Sequence, residues 1–143
     1  MRILGLDAGE KRIGVALSDP LGIIASALTV VEVKTEADGV ERVVALAREY
    51  EAERIVVGLP RSLDGSLGPQ ARRVQAFADL LAGRMDIPVI TWDERLSTVE
   101  AERTLVRAGI KRDKRKKRLD SVAAAVILQG YLDSRESKYP SQD

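Results

Sequence analysis

The 143-residue chain contains no cysteine and no histidine. The first absence excludes disulfides, thiolate metal sites and cysteine nucleophiles. The second removes Ser-His-Asp triads, imidazole zinc sites and histidine general bases. Any catalysis must then run on carboxylates, Lys, Arg, Ser, Thr, Tyr, backbone amides or a metal held by oxygen. Aromatic residues are scarce, with one Phe and one Trp, so binding of nucleic acid by base stacking is poorly supplied. No apolar run approaches the roughly 20 residues that span a bilayer, and the start MRILGLDAG lacks the basic, apolar and cleavage regions of a signal peptide. A cytoplasmic location without a membrane partner is expected.

The composition is 45% hydrophobic and 31% charged, which is the balance of a globular protein. The length fits about one domain, expected over residues 1–133, with residues 134–143 as a flexible tail because they carry no periodicity. The net charge of +1 conceals an uneven layout. Residues 111–118 hold one acid and seven bases, namely Lys111, Arg112, Lys114, Arg115, Lys116, Lys117 and Arg118.

Residues 2–6, 12–18 and about 23–33 are rich in Val, Ile, Leu and Ala and are separated by turn signals. They predict a three-stranded antiparallel meander. Thr35 and Asp38 form a capping-box-like start, followed by Val40, Val43, Val44 and Ala47 at helical spacing to about Tyr50. Ile55, Val56 and Val57 predict a strand buried on both faces, ending at Gly58-Leu59-Pro60. Pro69 opens a second helix that Gly83 is expected to close, and residues 88–92 form a fifth strand. Ser97 with Glu100 opens a further helix ending at Gly109. The last helix carries its apolar face on Leu119, Val122, Ala123, Val126, Ile127, Gly130 and Tyr131. The order β-β-β-α-β-α-β-α-α predicts an α/β fold, a five-stranded mixed sheet flanked by helices.

Three acids stand out by position: Asp7 at the end of the first strand, Glu94 just past the fifth, and Asp120 near the start of the last helix. A carboxylate at the end of a buried strand is costly unless a cation compensates it. Sites in open α/β sheets gather at the carboxyl ends of strands, so parallel neighbouring strands would bring Asp7 and Glu94 together. Each acid also has a plain structural reading: Asp7 as an Asx turn, Glu94 as a loop acid paired with Arg95, Asp120 as a helix N-cap. Strand alternation sends Asp93 and Glu94 to opposite sides, so at most one of them enters a shared site. One arrangement accounts for all three acids, because carboxylates without histidine or cysteine suit Mg²⁺ or Mn²⁺, and such ions promote phosphodiester hydrolysis.

Basic residues near these acids fit a polyanionic substrate. Lys11 and Arg12 follow Asp7 in the first hairpin, and Arg61 and Ser62 lie in the loop after the fourth strand, beside the turn pair Asp64-Gly65. Gly5, Gly9 and Gly14 would admit another backbone or a phosphate, or serve as turn and packing glycines. The run at 111–118 is read as a nucleic-acid-binding arm rather than only a solvated loop.

Four motifs in order resemble the YqgF/RuvX family: Asp7-x-Gly9-x-Lys11-Arg12-x-Gly14-Val15-Ala16, then Val57-Gly58-Leu59-Pro60 with Asp64-Gly65, then Asp93-Glu94-Arg95-Leu96-Ser97-Thr98, then Asp120-Ser121. Members of that family are described as Holliday junction resolvases and as pre-16S rRNA maturation nucleases. The resemblance runs from about residue 2 to 133. It implies an RNase H-like fold, with Asp7, Glu94 and Asp120 as the acidic metal-binding set and Mg²⁺ or Mn²⁺ as cofactor. Ala8 and Glu10 depart from the larger apolar residue and the Thr of many members. Ala123 stands one turn after Asp120, where better characterised junction resolvases carry a second acid. The expected function is a metal-dependent endonuclease acting on structured RNA, above all the 5′ end of pre-16S rRNA. Three alternatives stay open: a resolvase of branched DNA, working as a homodimer to cut two strands; a non-catalytic nucleic-acid-binding or ribosome-associated module; and a phosphate-binding hairpin of the sugar-kinase type.

Overall fold

Along the first strand, Leu4, Leu6 and Ala8 alternate with Ile3, Gly5 and Asp7, so the two sets face opposite sides of the sheet. In this computed structural model residues 1–96 and 116–136 are described, with side chains described for 1–96 and 121–135. The elements are β1 (Ile3–Ala8), β2 (Arg12–Ser18), β3 (Ala25–Glu32), α1 (Glu36–Glu49), β4 (Arg54–Leu59), α2 (Pro69–Arg84), β5 (Val89–Asp93), a 3₁₀ turn (Glu94–Leu96) and α3 (Lys116–Glu136). The helix expected over 97–109 lies outside the described residues.

The strands form one sheet in the order β3-β2-β1-β4-β5. β1 and β2 pair antiparallel, as do β2 and β3, giving the expected meander. β4 runs parallel to β1 and β5 parallel to β4. The first strand is therefore central, and β1, β4 and β5 share one carboxyl edge. The mixed sheet with its flanking helices is the RNase H-like architecture expected above.

Each sheet face has its own core. On one face Leu4, Leu6, Ile55 and Val57 pack with Val43 and Val44 of α1 and with Val74, Phe77 and Leu81 of α2. On the other face Ile3, Ala16 and Val56 pack with Ala124, Ile127, Leu128 and Tyr131 of α3. Full burial of one Leu or Val side chain contributes about 1.5–3 kcal/mol. The N-cap of α1 is the expected one, with Thr35 Oγ1 accepting from the Asp38 amide at 3.1 Å. α2 begins at Pro69 as expected and runs one residue past Gly83.

α3 departs from expectation in three ways. It begins at Lys116, so Asp120 lies inside the helix and is not its N-cap. It continues through Glu136, so residues 134–136 are helical. Its most deeply buried positions include Ser121, Ala124, Ala125, Leu128, Gln129 and Leu132, whereas Val122, Ala123 and Val126 are only partly buried. The physical reason is close approach. A Cβ built on Gly5 would lie 2.7 Å from Leu128 Cβ and 3.3 Å from the Ala124 carbonyl oxygen, so small residues seat the helix on the sheet. Ile127, Gly130 and Tyr131 are buried as expected, while hydrophobicity alone overrates Val122 and Val126 against Ser121 and Gln129.

The direction of α3 follows from Gln129, which is fully buried. Its Oε1 accepts from the Ala25 amide at 2.9 Å, and its Nε2 donates to the Ile23 carbonyl at 2.9 Å. Ala25 pairs with Ser18, beside the amino end of β1. α3 therefore runs antiparallel to β1, with its first turns toward the carboxyl edge.

Candidate active site

The central strand carries Asp7 to the carboxyl edge, where its residue pairs with Gly14 of β2. Asp7 is thus a strand residue rather than an Asx turn. The turn begins two positions later, closed by the Gly9 amide donating to the Arg12 carbonyl at 2.9 Å. The Ala8 carbonyl accepts from Arg73 Nη2 of α2 at 3.0 Å, which ties the strand end to the opposite layer.

β5 ends at Asp93, and alternation then separates the two neighbouring acids as expected. Asp93 receives Arg95: Nε lies 3.0 Å from both carboxylate oxygens, and the Arg95 amide donates to Oδ1 at 3.0 Å. That hydrogen bond holds the Asp93 carboxyl below the ordinary carboxylate range. Arg95 therefore pairs with Asp93 and not with Glu94. Glu94 turns toward α3 and sits over Gly58, where a built Cβ would lie 3.1 Å from its Cγ and from its Oε2. Burial, then the negative charge of Asp7, then that of Asp93, push the Glu94 carboxyl up from 4.5 to about 7.

Asp7 and Glu94 are thus close enough to interact at one edge. Asp120 lies in the first turns of α3, at the end of the helix that points to the same edge, and heads the row 120, 124, 127, 131. Its side chain is outside the described residues. Among the described residues no group of three or more potential ligands is gathered. The two described carboxylates nonetheless suit a hard divalent cation. Both donors are oxygen, and burial first and the Asp7 charge second raise Glu94, a cost that a cation would relieve.

The basic residues divide. Lys11 is exposed in the first turn, and Arg12 begins β2. Arg61 Nη1 donates to the Gly65 carbonyl at 2.9 Å, so part of that guanidinium braces its own loop. The Ser62 amide and carbonyl bond to Ser66 and Gly65. Asp64 Oδ1 accepts from both the hydroxyl (2.7 Å) and the amide (2.9 Å) of Ser66, the turn role expected of it. Lys111, Arg112, Lys114 and Arg115 lie outside the described residues. Lys116, Lys117 and Arg118 are in the first turn of α3, with side chains outside the description.

Three contributors escaped the sequence reading. Gly58 opens the space beneath Glu94, and its signal was a glycine inside an otherwise apolar strand. Arg95 joins the end of β5 to the loop after β4, since its Nη1 donates to the Leu63 carbonyl at 3.1 Å. Neither that link nor the Arg73 bond to Ala8 leaves a local sequence signal, because each joins residues distant in the chain. Gly5, considered for a phosphate, is instead covered by α3.

Comparison with known proteins identifies the family of the chain. The chain is 52% identical over 134 residues to a Desulforamulus reducens protein named "Putative pre-16S rRNA nuclease", covering 94% of this chain and 98% of that one. A Halothermothrix orenii protein of the same name is 53% identical over 133 residues, covering 93% and 95%. Among solved structures, Thermus thermophilus RuvC in complex with a Holliday junction substrate superposes with a TM-score of 0.67 at 18% identity, covering 96% of each chain. That likeness concerns the fold. The model of the family described as "RuvX: Holliday junction resolvase" matches residues 1–134, nearly the whole chain, and the protein belongs to the RuvX family.

Proposed function

We propose that this protein is a Mg²⁺- or Mn²⁺-dependent endonuclease that cleaves phosphodiester bonds in structured nucleic acid, with the precursor of 16S rRNA as its substrate. The observation that carries the reading is the pairing of Asp7 and Glu94 at the carboxyl edge, with the Glu94 carboxyl raised to about 7 by burial and by the Asp7 charge. Perturbed carboxylates of this kind mark functional sites. The rRNA substrate rests on the names of relatives about half identical over nearly the full chain.

Asp7, Glu94 and Asp120 would hold the cation. When bound, the ion supplies Lewis-acid chemistry at the scissile phosphate and at the attacking water. Asp7 contributes a carboxylate fixed by the central strand. Glu94 accepts a cation only after its own proton leaves, so ligand uptake and proton release are coupled near neutral pH. Lys11, Arg12, Arg61 and the bases of residues 111–118 would meet the phosphate backbone on either side, with Ser62 as a hydrogen-bonding neighbour.

Cleavage of 16S rRNA precursor and of a four-way DNA junction, each with Mg²⁺ or Mn²⁺, tests the proposal. The wild type should cut the rRNA precursor, and Asp7→Asn should lower the rate by at least about a hundredfold. Equal rates for the two proteins would remove Asp7 from the mechanism. Cutting of the junction alone would transfer the substrate to branched DNA, and no cutting of either would leave a binding module.

A further inference from the structure

Leu63 is 96% exposed, the highest value among the large apolar residues described. A lone exposed leucine is ordinary, but this one stands on a loop with little freedom. The Ser62 amide donates to the Ser66 carbonyl at 3.1 Å, and the Gly65 amide to the Ser62 carbonyl at 2.8 Å. Arg61 closes the loop from within through the Gly65 carbonyl. From outside, Arg95 holds the carbonyl of Leu63 itself. Gly65, at φ +87°, takes the left-handed conformation that the turn requires. The backbone on both sides of Leu63 is therefore tied down while its side chain is left in water.

The position of this loop gives the exposure a chemical meaning. Arg95 bonds both Asp93, the last residue of β5, and the Leu63 carbonyl, so the leucine's loop lies against the carboxyl end of β5. Exposed Arg61 lies beside it, and Leu96, 52% exposed, follows Arg95. A polyanion drawn to that edge would meet a cation and a rigid apolar prong together. Apolar side chains presented in this way unstack bases by entering between neighbouring steps.

We propose that Leu63 is a wedge that inserts between adjacent bases of the nucleic acid held at the carboxylate edge and opens the stack next to the scissile phosphate. The inference rests on the nuclease reading for its substrate. It makes Leu63 a specificity-determining residue that favours cleavage sites embedded in stacked structure.

Two arms test it, using the full-length protein. In the first, an RNA hairpin carrying 2-aminopurine in its stem is titrated with protein in Ca²⁺, and fluorescence reports unstacking. Wild type should raise the signal, Leu63→Ala should give less than about half that rise at saturation, and Leu63→Met should restore it. In the second, cleavage of a stem-embedded site is compared with cleavage of an unpaired site in Mg²⁺. Leu63→Ala should slow the first about tenfold and leave the second unchanged. The unfolding midpoint of Leu63→Ala should match wild type, since the side chain is exposed. Equal behaviour of Leu63→Ala and wild type in both arms overturns the wedge and leaves the nuclease reading standing. A Leu63-dependent fluorescence rise without cleavage of either site removes the nuclease reading and keeps the wedge.

Discussion

Gly58 leaves open the space that Glu94 occupies, since a Cβ at residue 58 would stand 3.1 Å from both Glu94 Cγ and Glu94 Oε2. The same atom would come within 2.6 Å of Ile127 Cδ1 on α3. A strand glycine thus sets how deeply the acid can sit and how closely the helix can approach.

Gly58→Ala tests this relationship. Overpacking at that point should destabilise the protein by about 1–3 kcal/mol in urea unfolding. Cleavage, measured where the variant is still fully folded, should fall further than the loss of folded protein explains, because Glu94 is displaced. Activity that tracks the folded fraction alone would separate Gly58 from the site.

The raised Glu94 carboxyl makes metal-free stability depend on pH. Its folded value of about 7 lies above its ordinary 4.5. The protonated acid is the form that folding favours, so the contribution is fully present below about 4.5 and is lost as pH rises through 7. The Glu94 side chain is only partly buried, so the screened effect is on the order of 1 kcal/mol. Urea unfolding in EDTA should show wild type losing stability relative to Glu94→Gln between pH 4.5 and 7. The stability difference between the two proteins should stay flat over that range if Glu94 titrates normally.

Gln129 fastens α3 to the start of β3 and thereby sets the direction in which the helix runs. Gln129→Leu keeps the volume but leaves the Ala25 amide without its acceptor, at a cost of about 1–3 kcal/mol. Thermal or urea unfolding reads the loss, and hydrogen exchange should rise at Ala25 before it rises in β1.

Arg73 reaches across from α2 to the Ala8 carbonyl, next to Asp7. Arg73→Ala should cost about 1 kcal/mol of stability. It should also raise the Mg²⁺ concentration needed for half-maximal cleavage, because the strand end carrying Asp7 is less firmly held. An unchanged metal requirement would make Arg73 a purely structural brace.

The fold was legible largely because its signals are local. The apolar-rich runs at 2–6 and 12–18 mark strands, and the all-apolar Ile55, Val56 and Val57 mark a sheet covered on both faces. Thr35 and Pro69 mark helix starts, and strand alternation separates Asp93 from Glu94. The phase of α3 was legible only in part: Ile127, Gly130 and Tyr131 are buried as their spacing implied, whereas Ser121, Ala124 and Gln129 owe their burial to close contact and to hydrogen bonding across the chain rather than to hydrophobicity. Of the proposed site, Asp7 and Glu94 were legible as acids at or just past strand ends, and the structure brings those two close enough to interact. Its supports, Gly58 under Glu94, Arg95 on Asp93 and Leu63, and Arg73 on Ala8, emerge only when distant segments are brought together.

The most direct measurement is a crystal structure with Mn²⁺, read by anomalous scattering. The account predicts a Mn²⁺ peak bridged by the carboxylates of Asp7, Glu94 and Asp120, and loss of that peak in Asp7→Asn. A peak held elsewhere, or one that survives in Asp7→Asn with undiminished occupancy, would contradict it.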